Sequence, residues 1–191
     1  ALPILLQIYR GAIAIWDYSL SNIQLFKSLE IHNCKYVPFY ESKENLKRYN
    51  ISFNLKRNIK VLWLGNIYGR RIDILNTIDK EIPRTILKIT NSVFYKKKRD
   101  LLEMSKIYLN ICGDSPSKSP LNLFKIKYAF LTKSLVISEM TCESSEYDFF
   151  KDCIVFVKNT TDMIEKIQYY LNHEDERNLI VEIAYNKYKL L

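Results

Sequence analysis

From Asn58 onward the chain alternates short β-branched or aromatic runs with stretches of helical period, and this alternation limits the fold more than any single motif. "IKVLWLG" (59–65) has the composition of a strand, and "RRIDILNTIDKEI" (70–82) follows with Ile72, Leu75, Ile78 and Ile82 along one helical side. "TILKITNSV" predicts a second strand, and "YKKKRDLLEMSK" a helix that turns Leu101, Leu102 and Met104 to the sheet and its lysines to solvent. "KIYLNICG" reads as a third strand. "SPLNLFKIKYAFLTK" reads as a helix buried through Leu121, Phe124, Tyr128 and Leu131. "SLVISEM" and "CIVFVKN" complete the strands, and the tail from Thr160 reads as one or two helices. Strands separated by helices of this length join by crossovers, which give a parallel sheet covered on both faces. The fold class is therefore α/β, and ligands of such sheets bind beyond the carboxyl ends of the strands.

The first fifty residues repeat the theme more weakly. "AIAIWD" and "KYVPFY" predict strands flanking the short helix "SLSNIQLFKSLE", with Ser19 or Ser21 as its cap. "ESKENLKRYNISFNLKRN" (41–58) is a polar connector with few apolar anchors, and a domain boundary is expected inside it. No stretch is apolar for long enough to span a bilayer; the opening "ALPILLQIYRGAIAIW" is broken by Gln7 and Arg10 and lacks the basic start of a secretion signal. The chain begins without methionine, as a processed or excised polypeptide would.

Charge and cysteines exclude less than they suggest. The net charge of +8 invites a nucleic-acid reading, but 21 lysines against eight arginines, with abundant Ile, Asn and Tyr, is a codon-biased composition. Cys34, Cys112, Cys142 and Cys153 form no C-x-x-C pair, and His32 and His173 are the chain's only histidines. A zinc site is not expected; free thiols in a reducing compartment, the cytoplasm, are.

Candidate chemistry gathers at the carboxyl edge. Gly65 and Gly69 bracket the loop after the first main strand and Gly113 follows the third, where backbone must turn sharply and a ligand can approach closely. Arg70 and Arg71 stand where the next helix begins. A cation at that end costs about 0.3–1 kcal/mol unless something supplies negative charge. Ser119 and Pro120 suit the N-cap and first position of a later helix aimed at the same edge, with Asn122 and Lys125 sharing a face one turn in. Two helix N-termini, two arginines and a lysine converging on one cleft would favour an anion such as a diphosphate. The arginines could equally reach solvent or pair with Asp73 or Asp79. Glu139 ends a strand at this edge, where a carboxylate can accept ribose hydroxyls or cap a turn. Asp114, in "CGDSPSKSP", is the other candidate acid, and the one candidate for a catalytic role. There is no G-x-G-x-x-G, no G-K-[ST], no paired carboxylates and no Ser/His/Asp set.

"AIWDYSLSNIQLFKSLEIHNCKYVPFY", "VLWLGNIYGRRIDIL", "IYLNIC" and "LNLFKIKYAFLTKSLVISE" occur in that order, followed by Arg177 and a terminal helix. Together they resemble the donor-binding, C-terminal half of GT-B-type glycosyltransferases, nearest to spore-maturation and surface-glycan proteins. The D-Y-S-x-x-N stretch (Asp17, Tyr18, Ser19, Asn22) and the G…R-R-x-x-I-L loop carry the resemblance most specifically. It implies a Rossmann-like domain at 51–191, preceded at 1–50 by the end of an acceptor-side domain and a connector. Such a domain holds a nucleotide-diphospho-sugar for transfer to an acceptor, here unknown.

By position, the resemblance puts Gly65, Asn66, Arg70 and Arg71 near the diphosphate, Asn110 in the donor site, and Ser138 and Glu139 near the nucleoside. It implies protein cations rather than a metal, consistent with the lack of a D-x-D motif, and no cofactor beyond the donor. The family usually has an acid and then an arginine where this chain has Asn122 and Lys125, and lysine offers only a point charge. A complete enzyme of this kind is much longer, so a fragment, or a partner chain supplying the other half, is expected. The rival reading is a non-catalytic basic module that binds nucleic acid or protein through "YKKKRD", or a degenerate transferase used as a scaffold.

Overall fold

The computed structural model describes residues 2–37, 56–90, 95–113, 115–119, 121–141 and 148–189. The chain divides into two compact units, Ala1–Tyr40 and Glu41–Leu191.

The first unit holds α1 (Leu2–Gly11), β1 (Ile15–Asp17), α2 (Leu20–Ser28) and β2 (Cys34–Tyr36). β1 and β2 pair in parallel, Ile15 opposite Cys34 and Asp17 opposite Tyr36, with α2 as the crossover. Ser19 caps α2: its Oγ accepts the Asn22 N–H at 3.1 Å. The Asp17 carboxylate accepts from the Ser19 N–H at 2.8 Å and from Asn22 Nδ2 at 3.0 Å. The D-Y-S-x-x-N stretch is thus a strand-to-helix turn in which the Asp17 and Ser19 side chains satisfy backbone donors that the helix end leaves open, and Asn22 Nδ2 braces Asp17. The opening segment, read as too broken for a membrane helix, forms the ten-residue α1, and no helix among the described residues is long and apolar enough to cross a membrane.

The second unit contains β3 (Ile59–Leu64), α3 (Arg70–Glu81), β4 (Ile86–Ile89), α4 (Tyr95–Glu103), β5 (Ser105–Asn110), α5 (Leu123–Leu131), β6 (Leu135–Glu139), β7 (Ile154–Val157), α6 (Thr160–Asn172) and α7 (Glu174–Lys189). Its five strands are all parallel in the order β4-β3-β5-β6-β7. The order reverses between β3 and β5, and the carboxyl ends of those two strands frame the crevice where doubly wound sheets bind ligands.

Strand residues alternate between two buried layers. Val61, Trp63, Ile107, Leu109, Ile137 and Val155 meet Ile74, Leu75 and Ile78 of α3 and Met163, Ile164 and Ile167 of α6. Leu62, Tyr108 and Val136 point the other way, toward the face packed by α4, α5 and α7. On that side Phe130 stacks on Phe150 with ring centroids 5.7 Å apart and tilts against Tyr188 at 5.9 Å. Burying an aromatic such as Phe130 contributes about 1.5–3 kcal/mol, and both faces do so, which accounts for the near-continuous apolar strands.

The amino edge is closed by Arg57, which donates to the carbonyl oxygens of Ser105 at 2.6 Å and Thr132 at 2.7 Å. Burial first, and Arg177 nearby second, pull its guanidinium down to about 10.

Several local expectations need correction. Ile72 is 43% exposed; the buried side of α3 is Arg71, Ile74, Leu75 and Ile78, and Ile72 stands about 100° round the helix from Arg71, at the margin of that side. Phe124 is 51% exposed, whereas Leu123, Ile126, Ala129 and Phe130 are buried. α5 begins at Leu123 behind an Asn122 cap, not at Ser119, which instead closes a short 3-10 turn at Pro116–Lys118. Pro120 lies outside the described residues. The tail forms two helices, α6 capped by Asn159 Oδ1 on the Asp162 N–H at 2.9 Å. Cys34, Cys112 and Cys153 are buried free thiols; Cys142 lies outside the described residues.

Candidate functional site

β3 delivers Gly65 to the carboxyl edge with φ +153°, a conformation L side chains rarely adopt. A Cβ there would stand 3.3 Å from the Trp63 ring and 3.8 Å from Lys125 Nζ. The loop returns through Gly69, at φ 54° and ψ −138°, which precedes α3 without a side-chain cap. Helix α3 therefore opens with two arginines and no side-chain cap, the Arg71 and Ile72 N–H groups donating to the Tyr68 and Gly69 carbonyls at 3.2 and 3.0 Å.

These two arginines go to different neighbours. Arg71 is 7% exposed and lies across the loop ends: Nε and Nη2 donate to the Ile111 carbonyl at 3.1 and 3.0 Å, and Nη1 to that of Asn66 at 3.2 Å. Its guanidinium carbon sits 5.1 Å from the Tyr68 ring centroid and 5.9 Å from that of Trp63. Arg70 makes a two-pronged pair with Glu139, Nη1 to Oε2 at 2.8 Å and Nη2 to Oε1 at 2.5 Å, and reaches the Cys112 carbonyl at 3.3 Å. The hydrogen-bonded Glu139 carboxylate raises the Arg70 pKa against the lowering effect of burial. Negative charge at the start of α3 thus comes from Glu139 and from carbonyl dipoles, while Asp79 pairs with Lys88 instead.

Glu139 Oε2 also accepts the Cys112 N–H at 2.7 Å, tying β6 to the end of β5. Burial, then the Glu139 charge, push the Cys112 thiol up to about 11, which leaves it protonated and unreactive. Gly113 follows closely: a Cβ there would fall 2.4 Å from Tyr68 Oη and 3.4 Å from Arg71 Nη2. A larger residue at 113 would require the half-exposed Tyr68 hydroxyl to shift.

A cleft of about 510 Å³ opens beside Arg71, lined by Gly65, Asn66, Tyr68, Thr90, Lys98 and Lys125 among others. Among the described residues its charged lining side chains are Arg71, Lys98 and Lys125, and no Asp or Glu lines it. Burial, and secondarily the Arg71 charge, lower the Lys125 pKa. Burial also lowers Lys98, to about 8, helped by Lys125 and Lys127. Asn122 lines the cleft too, with Oδ1 accepting the Lys125 N–H at 3.2 Å to cap α5.

Of the sequence-derived candidates, Gly65, Asn66, Arg71, Asn122 and Lys125 meet in this one cleft. Arg70 and Glu139 form a pair with each other. Asn110 and Ser138 are interior: Asn110 Nδ2 donates to Ser138 Oγ at 2.9 Å, and Ser138 Oγ donates to the Glu139 carbonyl at 2.9 Å. Asp114 lies outside the described residues. Leu64, Tyr68, Thr90 and Tyr108 line the cleft without having been candidates, and Lys98, assigned with its neighbours to a solvated face, is the charged residue that the sequence reading missed. The available signal was its place one turn before Leu102, which is fully buried.

No protein-family model matches the chain, and no curated protein matches it in sequence. Solved structures match it in fold. TarM superposes with a TM-score of 0.69 at 11% identity, covering 98% of this chain and 42% of TarM. HepE from Anabaena, solved with UDP and glucose, gives 0.63 at 11% identity, covering 99% of this chain and 62% of HepE. A glycosyltransferase from Rickettsia africae gives 0.58 at 13% identity, with coverages of 97% and 62%. This chain spans less than two thirds of each of them. The fold is the α/β, Rossmann-like one these proteins share.

Proposed function

We propose that residues 51–191 form the donor-binding half of a GT-B-type glycosyltransferase, which holds a nucleotide-diphospho-sugar for transfer of the sugar to an acceptor. The observation that carries this reading is a cleft at the sheet's reversal point lined, among the described residues, by three cations and by no acid. Such a site favours a compact, multiply charged anion. Arg71 and Lys125 face the diphosphate, and the glycine at 65 lets its oxygens approach backbone. As the acceptor oxygen bonds to the anomeric carbon, the bond to the diphosphate breaks and its electron pair leaves with the nucleoside diphosphate. Protein cations stabilise that charge without a metal.

Glu139 takes the ribose. A carboxylate offers about four acceptor positions; Arg70 uses two and the Cys112 N–H a third, so Oε1 keeps one for a hydroxyl. In this reading Arg70 orients Glu139 rather than binding phosphate, and Asn110 and Ser138 support the strand end behind it. Asp114 is the remaining candidate for a catalytic acid or base. Residues 1–50 are the end of an acceptor-side domain with its connector, the other half coming from further polypeptide or a partner chain. HepE was solved with UDP, which makes UDP the first donor nucleotide to test.

The test is thermal stability against UDP, GDP, dTDP, CMP and ADP, with a short single-stranded oligonucleotide as control. A nucleotide at about 100 times its dissociation constant adds about 2.7 kcal/mol to the folded state. One nucleoside diphosphate should raise the melting temperature, Lys125→Met and Arg71→Ala should abolish the effect, and Arg70→Ala should weaken it. Lys96→Ala and Lys97→Ala, both at exposed positions, should leave it intact. Stabilisation by the oligonucleotide alone, lost with Lys96 and Lys97, would replace this reading with a basic nucleic-acid module.

A further inference from the structure

Lys98 has no part in the resemblance and none in the sequence-derived site. It stands on α4, which follows the second strand of the sheet, and enters the same cleft as Arg71 and Lys125 from a different element. Its Nζ lies 4.3 Å from the Tyr128 ring centroid, and Lys127 Nζ lies 4.9 Å from the same ring. Around it are Lys125, Lys127 and Tyr128 of α5, Tyr108 of β5, and Arg71 and Tyr68 along the cleft. On its own helix, Arg99 pairs with Glu103 at 3.1 Å and approaches Asp100 at 3.8 Å. Among the described residues no carboxylate forms an ion pair with Lys98. An ammonium half-withdrawn from water beside other cations, with no anion to balance it, is unfavourable unless something else brings the negative charge.

We propose that Lys98 is a third anion-binding cation of this cleft, so that the site is matched to a diphosphate and takes up a proton at Lys98 as the anion binds. Two neighbouring phosphate groups can occupy three cations converging from α3, α4 and α5, whereas a single phosphate leaves one unpaired. In the free protein Lys98 titrates at about 8 through burial and through Lys125 and Lys127. A bound anion favours the charged ammonium and raises that value. Affinity therefore falls as pH rises through about 8, and binding near or above that pH draws protons from the buffer. The inference deepens the donor-site reading and rests on it for the nucleoside, while the anion part stands on the cleft alone.

The experiment is calorimetric titration of the whole chain with UDP and, separately, with inorganic pyrophosphate, at about pH 7 and about pH 9, in buffers of different ionisation heat. Lys98→Met should bind both anions about tenfold more weakly at the lower pH, the size of one hydrogen bond to a charged group, and take up fewer protons. Lys98→Arg keeps its charge throughout and should hold its affinity at the higher pH better than wild type, with less proton uptake. This variant carries the test if Lys98→Met fails to fold. If both variants bind UDP as wild type does, with the same pH profile, the Lys98 inference falls and the donor site stands. If the variants shift pyrophosphate binding as described but UDP binds no tighter than pyrophosphate, Lys98 stands and the nucleotide reading falls. If neither anion binds wild type, both are overturned.

Discussion

Arg70 and Arg71 are neighbours in sequence and strangers in the fold, because successive helical residues point about 100° apart. One rotation puts Arg71 on the buried side of α3 against loop carbonyls; the next lower position sends Arg70 to Glu139. Neither arginine is idle surface charge, and neither uses the acids of its own helix as a partner. The two have separable roles only because Glu139 ends β6 within reach of Arg70, sixty-nine residues away. Lys98 makes a converse point. A lysine whose pKa is lowered to about 8 binds fewer protons folded than unfolded between about 8 and its ordinary 10.5. Its charged form therefore burdens the folded state at neutral pH, and stability rises as pH climbs through that window. Lys98→Met is expected to stabilise the ligand-free chain by about 1 kcal/mol at pH 7, solvent screening included. That gain should shrink toward pH 10, which denaturant melts of both proteins at the two pH values would show.

At the scale of elements, the helix after the third strand shows how a start signal misleads. Ser119 and Pro120 form a recognisable cap pair in sequence, yet Ser119 ends a 3-10 turn and Asn122 opens α5. Asn122 is also a good N-cap residue, and burial of Leu121 and Leu123 decided between the two. Asn122→Ala should cost about 1 kcal/mol in urea unfolding, whereas Ser119→Ala should lie within about 0.5 kcal/mol of wild type. Equal effects, or the reverse order, would put the helix start back at Ser119. The same choice carries Lys125 into the cleft, since its N–H is the one that Asn122 Oδ1 receives. Strands were easier to read than helix phases. β3 and β5 are apolar runs with turn residues after them, but the buried side of α3 centres on Arg71, Ile74, Leu75 and Ile78 and leaves Ile72 at its margin.

At the scale of the molecule, the break between the Ala1–Tyr40 and Glu41–Leu191 units bears on whether the sheet can stand alone. Its layers, its core and its Arg57 closure all lie within the second unit. Residues 41–191 expressed alone should unfold in one cooperative transition, with calorimetric and van't Hoff enthalpies equal, and should keep whatever anion binding the whole chain has. A broad or early transition would mean that the first forty residues complete its core.

Periodicity and composition alone carried the parallel α/β sheet, its strands and their carboxyl-edge loops, because a strand buried on both faces must be apolar throughout and a crossover helix must be amphipathic. They also marked Gly65, Arg71, Asn122 and Lys125, since glycines and charges at strand ends and helix starts conflict with local rules unless a site explains them. What only the tertiary structure decided was which charges meet. Arg70 with Glu139, Asn110 with Ser138, and Lys98 with the cleft are pairings between elements far apart in the chain. Strand order and helix phase set them, and no local pattern encodes the distance between two loops that only the folded sheet brings side by side.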